Sequence, residues 1–313
     1  MALIEAVNSI FSILLMVSLG YLFTHWDWFE ETTADLFSRI LIYIAMPALM
    51  LYNLTTSFNR EDLFYMWSSL IIPLLGILLS YVLGTAISEI INVKKGRKGA
   101  FRALFTFSNT IFMGLPVNIA VFGDKSVPIV TMYYLVHTTL LWTLGVYFIR
   151  RDQENEKKFY LVEAVKRIIS PVLVAYLLAN FFIFTGISLP EFVLESCKHL
   201  SNLTTPLSML FLGITLYGTN MGEISINKEI IFILLGCFII TPVALYTVLY
   251  FFSTSELMMK VFILEAAMPN AAVTPIIVGA YGGDRHYAAV VVTLTTILSV
   301  FVIPTYLYLF SFL

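Results

Sequence analysis

The chain has 313 residues and a formal net charge of −2; 59% of its residues are hydrophobic and only 12% are charged. Soluble domains carry about a quarter charged residues, so this composition, with a mean hydropathy of +0.89, excludes an ordinary soluble protein. Apolar runs near the ~20 residues that cross a hydrocarbon core recur from end to end, which leaves no room for a separate soluble domain.

Taken in chain order, ten membrane spans are expected at 4–23, 40–53, 63–87, 101–121, 127–148, 168–184, 200–217, 230–252, 261–280 and 288–310. The second and seventh runs are short, and each extends through neutral polar residues, Phe37 and Ser38 or Asn202 to Thr205. The first run lacks a basic leader and a small-residue cleavage site, so it reads as a retained span. Of the eighteen Lys and Arg, fourteen fall on one face: Arg39, the clusters at 94–102 and 150–167, Lys228 and Arg285. Arg60, Lys125, Lys198 and Lys260 lie opposite. Positive-inside bias then puts both termini outside and the 151–167 loop in the cytoplasm. The basic clusters read as flanks of spans, so no nucleic-acid partner is implied. Cys197 and Cys237 have no metal-site or redox spacing. No GxSxG, HExxH or Walker motif is present, so no enzyme and no organic cofactor are expected.

One segment is written twice. LPVNIAVFG around Pro116 and TPIIVGAYG around Pro275 are 159 residues apart, and the same offset separates Gly123 from Gly282 and Pro47 from Pro206. Duplicated halves, 1–150 and 168–313, with five spans each are inverted repeats. Matching broken helices in two repeats point to a substrate site near the bilayer midplane. The breaks are surrounded by small and amide residues that can satisfy freed backbone: Ser108, Asn109, Thr110, Gly114 and Asn118 in one half, Asn270 and Thr274 in the other. Half-helix N-termini converging there would favour a small carboxylate. Glu265 lies ten residues before Pro275, where a carboxylate is costly unless it faces a cavity or partner; a later start of the ninth span would make it a solvated acid instead. His137, alone in YYLVHTTLLW, either relays protons or hydrogen-bonds a neighbouring helix.

At NTIFMGLP, Asn109 to Pro116, and MPNAAVTPIIVGAYGGD, Met268 to Asp284, the chain resembles the auxin efflux carrier family of permeases. The resemblance implies an all-α polytopic protein with a bile-acid-transporter-like fold: ten transmembrane helices in two inverted five-helix repeats, with helices 4 and 9 broken and crossing. Spans 1, 2, 6 and 7 would form a scaffold, spans 3–5 and 8–10 a moving transport core. It further implies a secondary transporter of mono- or dicarboxylates, working by elevator-type alternating access in the plasma (inner) membrane, with lipid around it and a homodimer formed through the scaffold. Asn109, Pro116, Asn270 and Pro275 would line the substrate site. The third span lacks the acidic residue expected of plant auxin carriers. EAAMPN, Glu265 to Asn270, is similar to a pattern of sodium-coupled bile acid transporters, which makes Glu265, Ser108 and Asn109 candidate sodium ligands, with Thr131 a loose match for a further hydroxyl. The alternatives are an auxin-like weak-acid uniporter or exporter, a bile-acid-like symporter, or a channel or receptor.

Overall fold

A computed structural model describes residues 2–61, 67–153, 169–218 and 227–312, the side chains of 2–10 and 31 excepted. Leu63 and Ile168, at the expected starts of the third and sixth spans, lie outside those residues, as do Lys157, Lys158, Lys166 and Arg167 of the expected cytoplasmic loop. In chain order the α-helices are α1 (Ala2–His25), α2 (Glu31–Ile40), α3 (Met46–Ser57), α4 (Ile71–Ile90), α5 (Lys98–Thr106), α6 (Leu115–Phe122), α7 (Val127–Leu140) and α8 (Val146–Arg151). They continue with α9 (Pro171–Thr185), α10 (Glu191–Ser201), α11 (Thr204–Tyr217), α12 (Lys228–Leu235), α13 (Thr241–Leu249), α14 (Glu256–Ala266), α15 (Thr274–Ala280) and α16 (Arg285–Leu309). Single π-helical turns at Leu41–Ala45, Leu141–Gly145 and Gly236–Ile240 join α2 to α3, α7 to α8 and α12 to α13.

Five runs among the described residues are long and apolar enough to cross a membrane: Thr32–Ser57, Ile71–Ile90, Asp124–Arg151, Lys228–Leu249 and Arg285–Leu309. Phe11–His25, Thr110–Phe122 and Pro171–Thr185 are apolar but shorter. This is an all-helical, multi-pass membrane protein. The second run does extend through Phe37 and Ser38, whereas the seventh does not include Asn202, which lies in a turn ahead of α11.

Proline placement explains only part of the interruptions. Pro275 sits in the opening residues of a new helix, α15, where the missing N–H would have had no partner, whereas Pro116 follows directly on a π-helical turn at Thr110–Gly114 that runs into α6, and there removes a helical donor. Gly123 and Gly282, the pair separated by the same 159 residues, both adopt left-handed backbone, with φ of 74° and 84°. That is a conformation only glycine takes without strain, and it ends each segment alike.

The chain divides into two compact units. The first comprises Met1–Ser69, Ile111–Met132 and Lys166–Gly218. Within it α1 and α11 touch backbone to backbone: a Cβ on Gly20 would lie 2.4 Å from the Leu210 carbonyl, and one on Gly213 would lie 2.2 Å from that of Val17. Such close approach through small residues maximises dispersion contact where no hydrophobic force separates helix from lipid. Phe23 gathers Trp26, Trp28 and Phe29 around it at centroid distances of 6.0, 5.1 and 5.4 Å, and both tryptophans are exposed, as expected at a membrane–water interface.

The second unit comprises Leu70–Thr110, Tyr133–Val165 and Thr219–Leu313. Its helix ends are capped: Asn227 accepts from the Ile230 amide at 3.0 Å, Ser255 from Met258 at 3.2 Å and Asp284 from Tyr287 at 2.9 Å. One end is tied electrostatically. Arg97, just ahead of α5, donates to Asp284 at 2.9 and 2.6 Å, lies 3.9 Å from Glu229 and stacks over the Tyr287 ring at 4.9 Å. Asp152 accepts from the Gly99 amide at 3.1 Å, and Gln153 donates to the Gly96 carbonyl at 2.7 Å. Deeper in, Phe105 is fully buried, its ring edges wedged between Gly84 and Gly236. This unit also carries an open groove of about 760 Å³ lined by Phe238, Pro242, Tyr246, Phe301 and Tyr306 among others; among the described residues no carboxylate, amide or basic side chain lines it.

Candidate functional site

The two chain interruptions in the second unit meet each other. Helix α5 stops at Thr106 and α14 at Ala266, and between the stumps Ser108 and Asn270 form an isolated antiparallel bridge. Asn109 N donates to the Pro269 carbonyl at 2.6 Å, and Ala271 N donates to the Phe107 carbonyl at 3.2 Å. Pro269 cannot donate and holds Met268 away from helical backbone, so α14 has to end there. Non-helical backbone at membrane depth survives only when its polar groups are satisfied inside the protein, and each broken segment here supplies the other's partners.

Side chains complete the accounting. The Asn270 amide nitrogen donates to the Leu104 carbonyl, one of the carbonyls that the end of α5 leaves without a helical partner. Thr241 donates to the Phe105 carbonyl at 3.1 Å, Cys237 to the Met268 carbonyl at 3.2 Å and Ser108 Oγ to the Glu265 carbonyl at 2.8 Å. Thr295 Oγ1 accepts from Asn270 N at 3.2 Å, and His137 Nε2 accepts from Ser108 N at 3.0 Å. The backbone amides of Ser108, Asn109, Asn270 and Ala271 are thus engaged in building the crossing rather than left open towards an anion. Helix α15, with seven residues, contributes only a small dipole.

Ser108, Asn109, Thr110, Glu265, Asn270, Thr274 and Pro275 all lie in this unit and all are buried, Glu265 with no exposed surface at all. Glu265 is therefore not a solvated acid. Tyr133 is equally buried and lies within electrostatic reach of Glu265 and Ser108. Asn270 Oδ1 has no hydrogen-bond partner among the described residues. Gly114, Pro116, Asn118 and Thr131 belong to the first unit. There Asn118 donates to the Gly114 carbonyl at 2.9 Å, and Thr131 donates to the Val127 carbonyl at 2.7 Å and to Met50 Sδ at 3.1 Å.

Sequence reasoning missed Tyr133, Thr241 and Thr295. Tyr133 had a readable signal, since it stands four residues before His137 and shares its helix face. Thr241 and Thr295 had none, because a threonine in an apolar helix is unremarkable until its partner is known. Among the described residues no three His, Cys, Asp or Glu side chains gather as a metal centre. The side-chain oxygens at the crossing are of the ligand type that hard cations take.

Two transporters with no assigned substrate are similar over nearly their full length. One, from Methanocaldococcus jannaschii, is 26% identical over 304 residues, 93% of this chain and 94% of its own. The other, from Methanothermobacter thermautotrophicus, is 24% identical over 308 residues, 97% of this chain and 98% of its own. The profile of the membrane transport protein family matches residues 5–307. With its buried, mutually satisfied helix breaks and a match that covers nearly the whole chain, this protein belongs to the membrane transport protein family of auxin efflux carrier permeases.

Proposed function

We propose that this transporter is a secondary active carrier of small organic anions, mono- or dicarboxylates, that works by elevator-type alternating access. The observation that carries the reading is the buried crossing at Ser108 and Asn270, with Glu265 beside it. A broken-helix crossing is what known secondary transporters use to bind substrate at the midplane. In this reading ten spans form two inverted five-helix halves, spans 3–5 and 8–10 move against a scaffold of spans 1, 2, 6 and 7, and scaffolds pair into a homodimer. Both termini face outside the plasma membrane.

The backbone amides at the breaks are engaged, so the Asn109 side chain and the second amide hydrogen of Asn270 take the carboxylate. Glu265 couples movement to a proton or a sodium ion. The residues fit sodium through the Glu265 carboxylate, Ser108, Asn109 and Asn270 Oδ1, all oxygen donors. The ion would neutralise Glu265 and so favour an adjacent carboxylate.

Thermal unfolding of the purified protein with malate, malonate, 2-oxoglutarate, indole-3-acetate or a bile acid, each with and without sodium, tests the reading. A ligand at 100 times its Kd stabilises the folded state by about 2.7 kcal/mol. Stabilisation by one carboxylate, strengthened by sodium or by low pH, is the expected result. Folded protein that responds to none of these anions under either condition would sink the anion assignment. Counterflow of the stabilising carboxylate in proteoliposomes then separates a carrier from a pore, which cannot drive exchange against a gradient.

A further inference from the structure

His137 is buried in α7, its ring centroid 5.3 Å from that of Phe107 in an edge-to-face arrangement and 6.1 Å from that of the stacked Tyr133 ring. Its Nε2 lies 3.0 Å from the amide nitrogen of Ser108. A backbone amide can only donate, so Nε2 must present a lone pair, and the proton of a neutral imidazole must then sit on Nδ1. An imidazolium has donors on both nitrogens and would turn an N–H towards an N–H. Ser108 cannot easily find another acceptor, because its amide lies just past the end of α5, where the interruption has removed the helical partner.

From this geometry we infer that His137 is a positioning residue of the crossing, a neutral Nδ1–H imidazole whose Nε2 fixes Ser108, and that it does not carry a transported or coupled proton. It orients the strand-like segment that presents Ser108 Oγ to the Glu265 carbonyl and pairs with Asn270. A coupled proton would ride on another group, and Glu265 is the carboxylate at the crossing. The inference rests on the transport reading only for its consequence; the tautomer and the hydrogen bond stand or fall without it.

Nitrogen-15 NMR of the ring, on the full-length protein in lipid with no ligand added, reads the tautomer directly. His25, His199 and His286 are exposed, and loss of one signal in His137→Gln assigns the fourth histidine. The expected signature is a protonated Nδ1 with a bare, hydrogen-bonded Nε2 at neutral pH. An Nε2–H tautomer or an imidazolium overturns the inference. Hydrogen exchange at the Ser108 amide gives an independent reading. His137→Gln keeps an acceptor and should leave the exchange rate near the parental value, whereas His137→Leu should raise it about tenfold or more. Equal loss of protection in both variants would also overturn the inference, and should the leucine variant fail to fold, the tautomer and the glutamine variant still decide it. Absence of carboxylate binding would count against the transport reading alone.

Discussion

Gly236→Ala is a substitution for which local and tertiary reasoning predict opposite signs. Gly236 has ordinary right-handed backbone, φ −59° and ψ −57°, where alanine should stabilise by about 1 kcal/mol through helix propensity. The added Cβ, however, would lie 2.2 Å from Cδ2 and 2.3 Å from Cε2 of Phe105, whereas carbon atoms pack best at about 3.5–4.0 Å. The ring would have to retreat by more than an ångström, and it cannot. On its other edge Gly84 stands so close that a Cβ there would be 2.8 Å from Cδ1, and Thr241 holds the Phe105 carbonyl at 3.1 Å. Overpacking of this severity belongs at the upper end of the usual range, about 3 kcal/mol; subtracting the propensity gain leaves a net loss of about 2 kcal/mol. At ~2–4 °C per kcal/mol, the apparent melting temperature should fall by roughly 4–8 °C. Cys197 and Cys237 are free and buried, so a thiol-reactive fluorophore reports unfolding at fixed scan rate. Phe105→Leu alone should cost about 1–2 kcal/mol in lost packing, and the double variant should be more stable than the sum of the singles by about 2 kcal/mol. A higher melting temperature for Gly236→Ala, or strict additivity with Phe105→Leu, would refute the wedge.

Asn270→Ala removes the donor to the Leu104 carbonyl and strands that carbonyl in the interior, so it should destabilise by about 1–3 kcal/mol as well as abolish carboxylate stabilisation; parental ligand shifts in this variant would displace the substrate site from the crossing. Glu265→Gln should leave the fold in place and remove any sodium or proton dependence of counterflow, and unchanged dependence would remove Glu265 from coupling. Burial works to raise the Asp284 carboxyl pKa, but the Tyr287 amide and the Arg97 guanidinium outweigh it and hold the group below its ordinary value. A depressed folded-state pKa gives stability that is present above the unfolded value of about 3.9 and lost as pH falls through the folded one. The melting-temperature gap between parent and Asp284→Asn should therefore be widest near neutral pH and close below about pH 4. A gap that is constant down to pH 3 would mean that the ion pair with Arg97 is not its source.

Composition, the apolar runs and the 159-residue offset were enough to read a multi-pass helical protein with two broken segments, because hydrocarbon tolerates little else along a chain. Pro116, Pro275, Gly123 and Gly282 were legible for a local reason: the ring fixes φ and removes a donor, and glycine alone takes positive φ cheaply. The family was legible in the residues around those positions. What the sequence could not supply was the partner of each freed backbone group. That Leu104 is answered by Asn270, Phe105 by Thr241 and Ser108 by His137 depends on residues up to 166 positions apart meeting at one depth. The same holds for the Arg97 tie to Asp284, since in the sequence Arg97 is one more basic residue in a cluster flanking a span. Local rules set where this chain breaks; which polar groups close each break, and which oxygens are left over, was decided only by packing, since hydrogen-bond satisfaction in a dry interior is a property of the assembled neighbourhood and not of any segment.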